Sequence, residues 1–265
     1  MQTIVITGST RGIGFGLADS FLALGCAVTI SGRTDEAVKK GGEKLVAKYD
    51  AGRVLGHACD VRDPDQIRAL WQFAKSHWGH VDIWINNAGQ SNTQGMAWEL
   101  SPADAKSVVE SNLLGAIYGS QVAIQGMLEQ GYGSIYNMEG MGSDGRMHPG
   151  LILYGTTKYG LNYFTRGLVK ESQHTPLVIG AIRPGMVVTD LITRQYDDRP
   201  EDWERAKRIF NIIAERVETV TPWLAERILK NQKSGACISR VSRWKLLLRF
   251  LLAPIRKRDL FDEGE

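Results

Sequence analysis

Apolar residues in this chain recur in two alternating rhythms. A short apolar run at residues 3–6 ends in Thr7-Gly8, and Gly12 and Gly14 follow. Ile13, Leu17, Phe21 and Leu24 then repeat at helical spacing up to Gly25, and a second strand-like run covers residues 27–31. Further strand-like runs at residues 54–58, 81–85, 133–138 and 177–182 alternate with helical patterns. This predicts an α/β fold, a doubly wound parallel sheet with helices on both faces. With 265 residues and no Pro/Ser-rich linker, repeat or low-complexity tract, a single domain is expected over residues 1–240.

Composition adds exclusions. Cys26, Cys59 and Cys237 lack metal-ligand spacing and an even count, so buried thiols in a reducing compartment are expected, with no metal site. Met1 leads straight into the first strand and no apolar stretch is long enough to span a bilayer, so a cytoplasmic protein is expected. The net charge of +3 hides an asymmetry: residues 231–258 carry eight of the 32 Lys/Arg and no acid. Without that stretch, 24 basic residues face 29 acidic ones. The basic character belongs to the C-terminus and not to a nucleic-acid-binding fold.

Two local patterns carry chemistry. Strand, glycine turn, helix and strand over residues 3–31 form a Rossmann-type dinucleotide-binding unit, in which the glycines let backbone N–H groups approach a pyrophosphate at the positive helix end. Tyr154 and Lys158, four residues apart, lie one above the other on a helix. A phenol with its ordinary pKa of about 10 keeps its proton at neutral pH. An ammonium on the same face favours the phenolate, so this tyrosine is expected to exchange a proton with a carbonyl or alcohol.

Thr7-Gly8-x-x-x-Gly12-x-Gly14, Asp60-Val61, Asn86-Asn87-Ala88-Gly89, Asn112, Tyr154-x-x-x-Lys158 and Pro184-Gly185 occur in one order. Together they resemble the classical short-chain dehydrogenases/reductases over residues 1–239. The resemblance implies that Gly8, Ser9, Thr10, Arg11, Gly12, Ile13 and Gly14 bind the cofactor. It places Asp60 and Val61 at the adenine, and Asn87, Ala88 and Gly89 near its ribose; an ordinary structural turn is the other reading of the last three. Pro184, Gly185, Met186, Val187 and Thr189 would close on the nicotinamide. Asn112 would hold a water that links Lys158 to solvent, or satisfy backbone groups at a helix kink. Lys158 would lower the tyrosine pKa and bind the nicotinamide ribose. Where an acid selecting NAD is expected after the second strand, the chain reads Ser31-Gly32-Arg33-Thr34, with Asp35 opening or capping the next helix. Arg33 and Arg11 suit a 2′-phosphate, which favours NADPH over NADH.

One member of the pattern is missing. Alignment puts Gly140 where the family carries a carbonyl-polarising serine. Either Ser143 reaches in through the glycine-rich stretch, or a substrate or backbone donor substitutes. Asn137–Ser143, Tyr154–Gly160, Arg183–Leu191, Phe210–Ile213 and the ending Arg256–Glu263 together resemble the chlorophyll b reductases. That implies a lipophilic carbonyl substrate, a formylated tetrapyrrole among the candidates. A general carbonyl or alcohol oxidoreductase and a non-catalytic nucleotide-binding protein are the alternatives.

Residues 193–222 correspond to the family's helical substrate lid, spanning about 190–230, where Trp203, Phe210 and Trp223 either line a pocket or pack the lid down. Residues 241–265 form a basic amphipathic extension. Trp244, Leu247, Leu248 and Leu251 share one side of its helix, Lys245 and Arg249 the other, and Pro254 ends it. It suits either a homodimer or homotetramer interface or peripheral contact with a membrane.

Overall fold

The computed structural model describes residues 1–92, 94–196, 200–240, 243–253 and 258–261. Part of the Arg256–Glu263 motif, Pro254 and Lys257 lie outside the described residues. Seven strands form one parallel sheet in the order β3-β2-β1-β4-β5-β6-β7. They are β1 (Thr3–Ile6), β2 (Ala27–Gly32), β3 (Val54–Ala58), β4 (Ile83–Asn86), β5 (Gly133–Met138), β6 (Leu177–Arg183) and β7 (Cys237–Ser239). The helices are α1 (Gly12–Ala23), α2 (Asp35–Val46), α3 (Pro64–Trp78), α4 (Pro102–Val109), α5 (Gly115–Gln130), α6 (Ile152–Glu171), α7 (Asp190–Thr193), α8 (Pro200–Ile213), α9 (Val217–Lys230) and α10 (Arg243–Leu252).

Strands β1, β2 and β4 are buried along their whole length, which is why they read as unbroken apolar runs. Alternate residues feed two cores. Ile4 and Ile6 of β1 meet Leu17 and Phe21 of α1, Leu45 of α2 and Leu224 of α9. Val5 points the other way, toward Trp71 of α3, Trp84 of β4 and Met127 of α5. The strand order reverses between β1 and β4, leaving a crevice at the carboxyl ends of the strands.

Among the described residues, side chains set the starts of three α-helices. Thr34 caps α2, Asp63 caps α3 and Ser101 caps α4, each accepting from a backbone N–H of the first turn. Asp35 therefore opens α2 and does not cap it. Helix α1 differs: Arg11 stands at its N-cap without a capping bond, and no acid lies in its first turn.

The span expected to be a lid divides in two. Helix α9 buries Val220, Leu224, Ala225 and Ile228 against α1 and belongs to the core, because its apolar stripe faces the sheet. Helix α8 is tied down by the C-terminal extension. Arg249 donates to Ile213 O (2.9 Å) and Glu215 Oε1 (2.7 Å), and Arg258 donates to Ala214 O (3.1 Å). These arginines satisfy carbonyls left open at a helix end. With Arg249 turned inward, the opposite side of α10 faces out, where Trp244 is 79% and Leu251 66% exposed. Among the described residues, no helix is long and apolar enough to cross a membrane.

Candidate active site

A cleft of about 1450 Å³ runs along the carboxyl ends of the strands. All the predicted cofactor and catalytic residues line it except Ser9 and Asn112. Ser9 is fully buried beneath the glycine loop; its Oγ donates to Ile6 O (2.6 Å) and accepts from Ser31 N (2.9 Å). It locks β1 to β2, so its hydroxyl is turned away from the cleft lining.

The glycine loop is shaped by close backbone packing. Gly8 has φ +62°, and a Cβ there would stand 2.7 Å from Ala88 Cα. A Cβ at Gly14 would collide with Asn87 Nδ2 and lie 2.5 Å from Gly8 O. Asn87 donates through Nδ2 to Thr7 O and Gly8 O, both at 2.9 Å, which fixes the loop against the end of β4. Its structural role is therefore visible directly. The uncapped, acid-free start of α1 opens onto this loop, leaving N–H groups for an anion. These features fit a dinucleotide.

Past β2, Arg33 and Thr34 line the cleft, and Arg11 pairs loosely with Asp190 across 3.4 Å of exposed surface. Asp60 is held by Arg62, whose Nε and Nη2 both reach its carboxylate and keep its pKa below the ordinary range, with Arg33 adding to the effect. An adenine amino group at this carboxylate would have to share it with Arg62.

The candidate catalytic face is built on α6. Asn92, from the loop after β4, accepts from Tyr154 N (3.1 Å) and donates to Gly150 O (3.1 Å), fixing the first turn of that helix. Asn112 is buried in a π-helical turn, Glu110–Leu114, between α4 and α5. Its Oδ1 accepts from Gln90 N (2.8 Å), and its Nδ2 donates to Gln90 O (2.8 Å) and Thr157 Oγ1 (3.1 Å). The kink-satisfying role is thus present. Lys158 Nζ donates to Met138 O (2.9 Å) and stands 5.7 Å from the centre of the Tyr154 ring.

Burial governs both ionisable groups. It pushes Tyr154 up to about 12 and pulls Lys158 down to about 8, with Glu139 opposing the second shift. Against the expected lowering of the tyrosine by its neighbouring ammonium stands burial, which raises it. Loss of water around the phenol outweighs a cation whose proton is directed at a carbonyl. Tyr154 is held as a neutral acid.

Gly140 adjoins this pair. A Cβ there would collide with Tyr154 Oη and sit 3.5 Å from Lys158 Cε. The absent serine side chain therefore has no room with the phenol where it is. Ser143 is buried and lines the same cleft, with its N donating to Gly140 O (3.1 Å).

Trp203, Phe210 and Trp223 do not line the cleft. Trp203 and Phe210 cluster with Tyr196 and Phe261, the Trp203–Phe261 centroids lying 4.8 Å apart edge to face, and Trp223 packs on the core. Leu191 and Ile213 supply apolar lining there instead. Glu139, Arg183 and Asn92 were not legible as site residues, because their roles come from contacts distant in sequence.

The short chain dehydrogenase family model matches residues 2–200. The chain is 34% identical to the probable chlorophyll(ide) b reductase NYC1, chloroplastic, of Oryza sativa subsp. japonica, over 99% of this chain and 54% of that one. It is 36% identical to the chlorophyll(ide) b reductase NOL, chloroplastic, of Arabidopsis thaliana, over 88% of this chain and 67% of that one. The chain thus spans about half the length of the first of these relatives. The solved actinorhodin polyketide ketoreductase with NADPH superposes with a TM-score of 0.78 at 27% identity, covering 90% of this chain and 95% of that one. Levodione reductase reaches 0.83 at 22% identity over 93% and 98%, which speaks for the fold. Motifs, sheet order, cleft and family match agree, and the chain belongs to the short-chain dehydrogenase/reductase family of oxidoreductases.

Proposed function

We propose that this protein is an NADPH-dependent carbonyl reductase that converts a formyl group on a chlorin to hydroxymethyl. The observation that carries the reduction is the placement of Tyr154 in the same cleft as Lys158 and the glycine loop. A bound reduced nicotinamide would supply the hydride. Tyr154 delivers its proton to the alkoxide oxygen as that atom gains charge. Lys158 offers a cation beside the phenol and a donor for ribose hydroxyls. Ser143 is the hydroxyl available to polarise the carbonyl, in place of the family serine. Asn112 holds the loop at Gln90 and the helix at Thr157 in register around them.

The chlorin reading is supported by similarity to the chlorophyll(ide) b reductases over most of the chain. It is tested by incubating purified protein with NADPH and chlorophyll b and separating the pigments. The hydroxymethyl product is expected; its absence, with turnover of other lipophilic ketones, would favour a general carbonyl reductase. NADPH binding without turnover over a broad carbonyl panel would favour a nucleotide-binding protein without catalysis.

NADPH preference is assigned to Arg33, which meets the cleft where an NAD-selecting acid would otherwise stand. Arg33→Ala is expected to weaken NADPH binding by about tenfold to a hundredfold, the value of a charge-assisted hydrogen bond, and to leave NADH unchanged. Fluorescence titration with both nucleotides checks it; equal losses would contradict the assignment.

The outward face of α10, with Trp244, Leu248 and Leu251 exposed, is read as the contact with a second copy of the chain. Sedimentation of a Trp244→Glu, Leu248→Glu double variant should then show a monomer. Unchanged assembly would refute that reading, and flotation of wild type with anionic vesicles would favour the membrane. The protein is placed in the aqueous phase or at a membrane surface on this reading.

A further inference from the structure

Lys158 carries its charge where burial disfavours it, and the reaction outlined above leaves one buried acid beside it unused. Glu139 directly follows Met138, whose carbonyl accepts from Lys158 Nζ at 2.9 Å. It is 2% exposed and lines the cleft. Its Oε2 accepts from Arg183 Nε (2.5 Å), and its Oε1 accepts from Asn162 Nδ2 (2.8 Å). Asn162 lies one helical turn beyond Lys158 on α6, so both residues grip the end of β5 from the same helix face. From the other side, Glu139 N donates to Ile182 O (2.9 Å), and Arg183 is the last residue of β6. The carboxylate is therefore fixed from two elements.

A buried carboxylate is costly unless it is paired and hydrogen-bonded, and an apolar side chain would fill such a place at lower cost. Here Arg183 and Asn162 supply that pairing, and the acid lines the cleft. We propose that Glu139 is a positioning residue for the reaction: its carboxylate, oriented by Asn162 and partly neutralised by Arg183, keeps Lys158 protonated inside the closed cleft. The proposal rests on the reductase reading, which needs that cation. The groups around Lys158 are few. Its own helix presents Tyr154, which is neutral; the loop after β5 presents Glu139; β6 presents Arg183, which is bound to that carboxylate. The π-helical turn presents Asn112 and the loop after β4 presents Gly89, neither of them charged. Glu139 opposes the fall of Lys158 toward about 8.

Two substitutions should move Lys158 in opposite directions. Glu139→Gln removes the anion, so the pH at which Lys158 loses its proton should fall, by about half a unit or more. Arg183→Gln frees the anion from its neutralising partner, so that pH should rise. The readouts are the pH dependence of NADPH affinity, taken by fluorescence without carbonyl substrate, and the alkaline limb of kcat/KM. Wild type is expected to lose affinity above about pH 8. Opposed shifts support the proposal; unmoved midpoints, or shifts in the same direction, overturn it. Should Glu139→Gln fail to fold, Arg183→Gln decides alone, an upward shift supporting the proposal and any other result contradicting it. Absent turnover with opposed shifts in binding would overturn the reductase reading and leave Glu139 only as the group that holds the charge of Lys158 for nucleotide binding.

Discussion

Tyr154→Phe is expected to lower kcat for carbonyl reduction by about a hundredfold to ten-thousandfold, the range for a positioned acid, with NADPH affinity unchanged. The substitution removes one hydroxyl and keeps the ring, so α6 and its anchors at Asn92 and Asn112 stay in place. Burial pushes the phenol up to about 12, so below that pH the donor is protonated and ready. A reduction that uses it should hold its rate through neutrality and decline only as Lys158 titrates, near 8. In the oxidative direction the phenolate is required, so that rate should climb with pH. Initial rates and fluorescence titrations on the same preparations check this. Wild-type kcat in the variant would remove Tyr154 from the chemistry.

Restoring the family's serine should do harm. Gly140→Ser is expected to lower activity by about tenfold to a hundredfold. Its Cβ would collide with Tyr154 Oη and stand 3.3 Å from Tyr154 Cζ, while the helix carrying Tyr154 is pinned by Asn92. Overpacking of this kind costs about 1–3 kcal/mol, and where the phenol must shift to relieve it that cost falls on the transition state. Gly140→Ala should lose activity to a similar degree, because the clash comes from Cβ and not from the hydroxyl. Ser143→Ala, measured beside them, should lower kcat without altering cofactor binding. A Gly140→Ser enzyme faster than wild type would show that the missing hydroxyl, and not space, limits this site.

The first half of the fold is plain in the chain because its signals are local. Apolar runs too short for helices, broken by Gly8, Gly12 and Gly14, specify β1, α1 and β2 with little ambiguity. The fourth strand lies two residues beyond its predicted start, at Ile83–Asn86, because its pairing with β1 and β5, and not its own periodicity, decides the boundary. Strand β7 has only three residues and exists through its pairing with β6, so no pattern along the chain announces it. Helix α10 shows the same limit: its amphipathic spacing is evident, but its orientation follows from Arg249 reaching Glu215, 34 residues away.

The site divides along the same line. Tyr154, Lys158 and the glycine loop are recognisable by spacing, since a helix turn or a tight loop fixes their geometry. The proton state of Tyr154 is not, because it depends on how much water the fold removes. Neither is Glu139, whose importance lies in Arg183 and Asn162 arriving from β6 and α6. Trp203 and Phe210 stay open along the chain for a related reason: aromatic residues in such a segment suit a pocket or a packed cluster equally, and Phe261 decides for the cluster.

The most direct measurement uses NADPH carrying deuterium on its nicotinamide ring, incubated with purified protein and chlorophyll b. If a reduced nucleotide in this cleft faces a carbonyl that Tyr154 protonates, the alcohol formed will carry one deuterium on its new carbon–hydrogen bond, and the Tyr154→Phe protein will form almost none. Tight nucleotide binding with no label reaching any carbonyl in a broad panel would contradict the account.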